Sequence, residues 1–121
     1  MIELSFIVAV LIAHWVGDFI FQSDYHATNK SKNNRVLLAH VLMYITPIYW
    51  VGFFFLPVTL AFVWAIVNML LHFITDYCTS RLTSKLWLKG DRHNFFVTIG
   101  ADQTIHMVCL FGSYVLLKGM V

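Results

Sequence analysis

Between Val36 and Thr75 the chain carries no Asp, Glu, Lys or Arg. A water-soluble bundle must cover its outer faces with charge, and an uncharged run of this length leaves nothing to cover them with. It suits a helical hairpin in a bilayer, where each crossing takes roughly 20 apolar residues. The remainder of the chain agrees. Only 12% of residues are charged, about half the share of an ordinary soluble domain. At 121 residues there is room for one domain. Strands are excluded on the same grounds, since only closed barrels carry strands through lipid and this chain is too short and too continuously apolar for one.

The expected fold is therefore all-α, a four-helix transmembrane bundle with spans at about 2–22, 35–55, 58–80 and 95–117. Met1 to Phe21 lacks a basic leader and an A-x-A-like site, and Glu3 stands where positive charge would be needed. It reads as a retained first span. The polar stretch Ser23–Asn34 is the clearest loop. Gly52 and Pro57 mark a tight turn between spans two and three. A second polar stretch, Arg81 to Asn94, could hold a short interfacial helix with Leu82, Leu86 and Trp87 toward lipid. Lys30, Lys32 and Arg35 flank loop one, and Arg81, Lys85, Lys89 and Arg92 flank loop three, whereas the turn between them has no charge. The positive-inside bias makes loops one and three cytoplasmic and puts both termini on the periplasmic side of a multi-pass inner-membrane protein.

Charge of +2 and the absence of a basic stripe argue against nucleic acid as a partner. The bilayer is the expected partner, and a homo-oligomer is compatible with everything here. Cys78 and Cys109 form neither a CxxC pair nor a disulfide framework, and read as packing residues.

Ionisable side chains inside spanning helices cost roughly 2.5–3.5 kcal/mol each on insertion scales. Here every span has at least one: His14 and Asp18, His40, His72 and Asp76, Asp102 and His106. Three pairs, His14–Asp18, His72–Asp76 and Asp102–His106, are spaced i, i+4 and so share a helix face. The stripes extend at the same period to Gln22, to Asn68 and Ser80, and to Thr98. Depth is the stronger regularity. At 1.5 Å per residue, Asp18 and Asp76 lie about 6 Å from the cytoplasmic end of their helices, His40 about 8 Å and Asp102 about 10 Å. His14 and His72 lie about 12 Å in, and His106 about 16 Å. Chain direction alternates, yet all seven fall in one layer, which points to one shared site. Isolated buried His–Asp pairs often only tie helices together, at roughly 0.6–2 kcal/mol per bond. Seven in one layer exceed that role.

Imidazole and carboxylate are a ligand set for zinc, manganese or iron. His14, His40, His72, Asp102 and His106 are the candidate ligands, with Asp18 and Asp76, nearest the aqueous side, as candidate general bases. Gln22, Asn68 and Arg81 are candidate supporting residues, Arg81 as a clamp for an anionic group. His26 and His93 read as solvated loop residues, and Met43, Met69 and Met107 as packing.

Several stretches carry a resemblance: His14-Trp15-Val16-Gly17-Asp18-Phe19-Ile20-Phe21-Gln22, Asn29-Lys30-Ser31-Lys32, Leu37-Leu38-Ala39-His40, His72-Phe73-Ile74-Thr75-Asp76 before Arg81, and Asp102-Gln103-Thr104-Ile105-His106. Together they resemble a domain-of-unknown-function family of small bacterial and phage integral membrane proteins, over nearly the whole chain. The family brings no settled activity. The resemblance implies one site holding His14, Asp18, Gln22, His40, His72, Asp76, Asp102, Gln103 and His106. In motif style alone, HxxxD within apolar helices is also similar to membrane metal-dependent hydrolases.

The leading expectation is a metal-dependent hydrolase at the cytoplasmic leaflet, acting on a lipid-linked or phosphate-bearing substrate, with a metal-bound water as nucleophile. The alternatives are a proton- or metal-ion-transporting subunit, and a membrane interaction or regulatory protein whose polar network is structural.

Overall fold

The computed structural model describes residues 2–120, and the described residues form helices joined by short turns, without strands. Helix α1 spans Leu4–Trp15 and continues into a π-helical turn, Val16–Ile20. Helices α2 (Asp24–Asn29), α3 (Asn34–Phe55), α4 (Val58–Leu88) and α5 (Arg92–Gly119) follow. Three of them, α3, α4 and α5, are long and apolar enough to cross a membrane, and Leu4–Ile20 is a shorter apolar helix beside them. Large apolar side chains cover the outside: Phe54 is 77% exposed, Leu116 72%, Ile74 61% and Val108 66%. Apolar surface this continuous is a lipid- or protein-facing exterior, unsuited to water.

The helix ends follow from local chemistry. The Ser23 hydroxyl accepts from the His26 amide to start α2, and Asn33 accepts from the Arg35 amide to start α3. Pro57, extended and without an N–H to satisfy, stands immediately before α4. Asp91 caps α5 by accepting from the Asn94 amide and side chain. Those bonds from Asn94 hold its exposed carboxyl below the usual carboxylate range. Gly90, at φ +76°, closes α4 in the left-handed conformation that costs glycine nothing.

Three expectations need correction. Arg81 to Leu88 does not form a separate interfacial helix but continues α4, which runs 31 residues. At 1.5 Å per residue that is about 46 Å, longer than a hydrocarbon core of about 30 Å. Loop one contains a helix, α2, folded back over the bundle end. Gly52 is not part of a turn; it lies inside α3, where a Cβ would meet the Trp64 ring at 2.9 Å. The chain turns at Leu56–Pro57 instead.

Each long helix buries one stripe at i, i+4 spacing, and each stripe changes character at the same level. At the end holding the N-terminus and the α3–α4 turn the stripes are apolar: Phe6 and Val10, Ile48, Ala61 and Trp64, Leu110 and Tyr114. Phe6 stacks on Tyr114 at 3.8 Å between ring centres, and the Trp64 indole N–H donates to the Leu110 carbonyl, 3.0 Å. At the other end the stripes become His14 and Asp18, His40, His72 and Asp76, and Asp102 and His106, all buried. The apolar half supplies the packing that holds the polar half together.

Candidate metal centre

Asp18 is brought to the middle of the bundle by the π-helical turn. A π turn inserts one residue into the helical register and re-aims the side chains after it. The turn also sits against α3 at close range: a Cβ on Gly17 would lie 2.7 Å from the Tyr44 carbonyl oxygen and 3.2 Å from Pro47. Only glycine lets the two backbones approach this closely.

The two carboxylate oxygens of Asp18 face different histidine pairs. Oδ1 lies 3.1 Å from His40 Nε2 and 3.7 Å from His72 Nε2, which are themselves 3.2 Å apart. Oδ2 lies 3.5 Å from His106 Nδ1 and 3.8 Å from His14 Nε2. Both groups, Asp18–His40–His72 and His14–Asp18–His106, are buried and close enough to hold a metal ion. The first has the better spacing. Ligands at 2.0–2.1 Å from a tetrahedral ion are separated by about 3.3 Å, and its three donor separations bracket that value.

The neighbouring groups divide between the two. Asp76 Oδ2 is 3.4 Å from His40 Nε2, and the Lys30 ammonium donates to both Asp76 oxygens, at 3.0 and 2.8 Å. On the other side the Gln103 amide nitrogen donates to Asp18 Oδ2 and to Asp102 Oδ2, and its Oε1 accepts from His14 Nε2. Asp102 accepts from the Thr79 hydroxyl and lies 3.6 Å from His106 Nε2. Tyr44 forms the floor: its hydroxyl is 3.0 Å from His14 Nδ1 and its ring stacks on His72 at 3.8 Å, 12° from parallel.

Hydrogen bonding within the protein does not use up this cluster. Of the eight ring nitrogens on the four histidines, four are buried without a hydrogen-bond partner: His40 Nδ1, His72 Nδ1 and both of His106. A network serving only to join helices would leave few such groups, because each costs roughly 1–3 kcal/mol.

The structure thus gathers His14, Asp18, His40, His72, Asp76, Asp102, Gln103 and His106 at one place. Gln22 borders the cavity beside them, its buried Oε1 without a partner. Two expected supporting residues lie elsewhere. Asn68 bonds the Trp64 carbonyl and Ser113, on the apolar side of the cluster. Arg81 donates to Asn34 and to the Tyr77 carbonyl and stacks over the Tyr77 ring at 3.6 Å, away from the centre. Tyr44 and Lys30 are site residues that sequence reasoning missed. Tyr44 follows His40 by four residues and was visible as a continuation of its stripe; Lys30 reaches Asp76 from 46 positions away and was not.

The class these features define is a small all-helical protein, with three helices long and apolar enough to cross a membrane and buried His/Asp groups close enough to hold a metal ion. The chain belongs to the family described as "Protein of unknown function (DUF3307)", whose profile matches residues 6–119. No curated protein and no solved structure matches it. The resemblance to an unknown-function family is borne out at that level, and the activity must be argued from the site.

Proposed function

We propose that this is a multi-pass inner-membrane hydrolase whose buried centre holds a divalent cation, zinc, manganese or iron, and acts on a lipid-linked or phosphate-bearing substrate. The observation that carries the reading is the convergence of two histidine pairs on the two oxygens of Asp18. Asp18, His40 and His72 are the principal ligands. His14 and His106, which face the other carboxylate oxygen, would hold a second ion together with Asp18. A bound divalent ion supplies Lewis acidity and lowers the pKa of a coordinated water.

This changes two roles expected from sequence. Asp18, expected as a base, is better suited to ligation because both its oxygens face imidazoles. Asp76 is tied to Lys30, whose ammonium donates to both of its oxygens. Asp102, which borders the cavity and has no cationic partner of that kind, is the better candidate to take a proton from water entering there.

The basic flanks of α2–α3 and α4–α5 support an orientation with that end in the cytoplasm and both termini outside. The apolar half, sealed by Phe6, Trp64 and Leu110, weighs against an ion path through one chain. The test is hydrolysis of a panel of phosphate-bearing lipids by detergent-purified protein loaded with each metal. Turnover abolished by chelation and by Asp18→Asn supports the enzyme. Metal bound without turnover, together with metal-ion flux in proteoliposomes, replaces it with the transporter reading.

A further inference from the structure

A cavity of about 560 Å³ opens from the His/Asp centre toward the basic end of the bundle. Its walls are of two kinds. Lys30 and Lys32, with the hydroxyls of Thr79, Ser80, Thr83 and Ser84, form a polar side, while Phe19, Phe95 and Ile99 form an apolar one. The apolar wall lies along the seam between α1 and α5. Farther from the basic end that seam is shut, by Phe6 stacked on Tyr114 and by the His14–Gln103 contact. Beyond Gln103 the cavity itself is lined by Phe19 of the π turn and by Phe95 and Ile99 of α5, and Phe19 is 49% exposed on the outer, apolar surface.

We infer that this seam is a lateral entrance for a membrane lipid whose phosphate headgroup sits in the cavity and whose chains lie along Phe19, Phe95 and Ile99. The inference rests on the metal reading above, and charge shows why. The cavity lining contains Asp18, Asp76 and Asp102 against Lys30 and Lys32, a net charge of −1 that would repel a phosphate. One divalent cation reverses the sign and two carry it further. Headgroup binding is therefore conditional on metal. The ammonium of Lys30 has three donors, and two are on Asp76; the third, with Lys32, remains for the phosphate. A soluble phosphate ester has no chain to lay along Phe19, Phe95 and Ile99, whereas a lipid has.

The probe is a short-chain, non-hydrolysable phosphonate analogue of phosphatidic acid, compared with methylphosphonate and with the diacylglycerol of the same chains. Binding is read by native mass spectrometry on the full-length, metal-loaded protein, with metal content measured on the same sample. The analogue should bind at least about tenfold more tightly than either comparison compound, and chelation should remove that advantage. Ile99→Trp, which fills the apolar wall without touching a ligand, should weaken the analogue about tenfold and leave metal content unchanged. Lys32→Ala at the exposed rim should weaken it several-fold. Equal affinity for methylphosphonate would overturn the lipid assignment in favour of a free phosphate. Equal affinity for the diacylglycerol would reduce the cavity to an apolar groove. Full metal occupancy with no binding of the analogue defeats this inference alone, whereas absence of metal defeats both it and the metal reading.

Discussion

Gly17→Ala tests whether the placement of Asp18 depends on close backbone approach. Two effects oppose one another. Alanine is favoured over glycine within a helix by roughly 0.5–1 kcal/mol. Against that, the new Cβ would stand 2.7 Å from the Tyr44 carbonyl oxygen and 3.1 Å from Tyr44 Cα. Ordinary contact begins near 3.4 Å, so the π turn and α3 must separate by about 0.7 Å, and both atoms belong to backbone that cannot swing aside. Overpacking of this kind costs about 1–3 kcal/mol. The net loss is about 1–2 kcal/mol, or a fall of roughly 3–8 °C in Tm for a chain of this length. The control is Gly100→Ala, where nothing lies within 4 Å of the added methyl, so the propensity gain stands alone and Tm should hold or rise slightly. Thermal unfolding in one detergent, followed by intrinsic fluorescence, measures both. Displacing α3 also moves His40 away from Asp18, so Gly17→Ala should bind metal more weakly. Equal stability and equal metal affinity in the two variants would refute the argument that this contact positions Asp18.

Lys30→Met leaves Asp76 buried without its cation. Breaking a buried pair costs 3–5 kcal/mol when fully enclosed, and about 2–4 kcal/mol is expected here because the Lys30 side chain is 14% exposed. Added divalent metal should recover part of the loss in a thermal melt, and an unchanged Tm without metal would show that the pair carries no weight. Tyr44→Phe removes the hydroxyl from His14 but keeps the ring stacked on His72. It should cost about 1–2 kcal/mol and leave one ion bound, and loss of all metal would contradict the division of the centre into two groups.

Much of the site was legible because intramembrane charge is scarce and helical spacing is regular. The His–Asp pairs at i, i+4 and their common depth placed seven residues in one layer, and the bundle realises that layer. What escaped depended on tertiary reach or on local backbone geometry. Lys30 arrives through the fold-back of α2, which no periodicity encodes. The π turn at Val16–Ile20, which carries Asp18, changes the register by one residue without a distinguishing composition. Arg81 was expected as a clamp for an anionic group at the end of its helix, but α4 continues past it, and its side chain turns to Asn34 and Tyr77. Gly52 shows how ambiguous glycine is in an apolar run, where a turn and a seat for a Trp64 ring look alike.

Elemental analysis of the detergent-purified protein after metal supplementation tests the central claim most directly, with wild type beside His14→Ala, His40→Ala and Asp18→Asn. The wild type should retain at least one divalent ion per chain. His14→Ala should keep one, held by Asp18, His40 and His72, while His40→Ala and Asp18→Asn should lose the principal ion. If wild type and Asp18→Asn carry the same metal content, whether full or nil, Asp18 is not the shared ligand and the metal centre is contradicted.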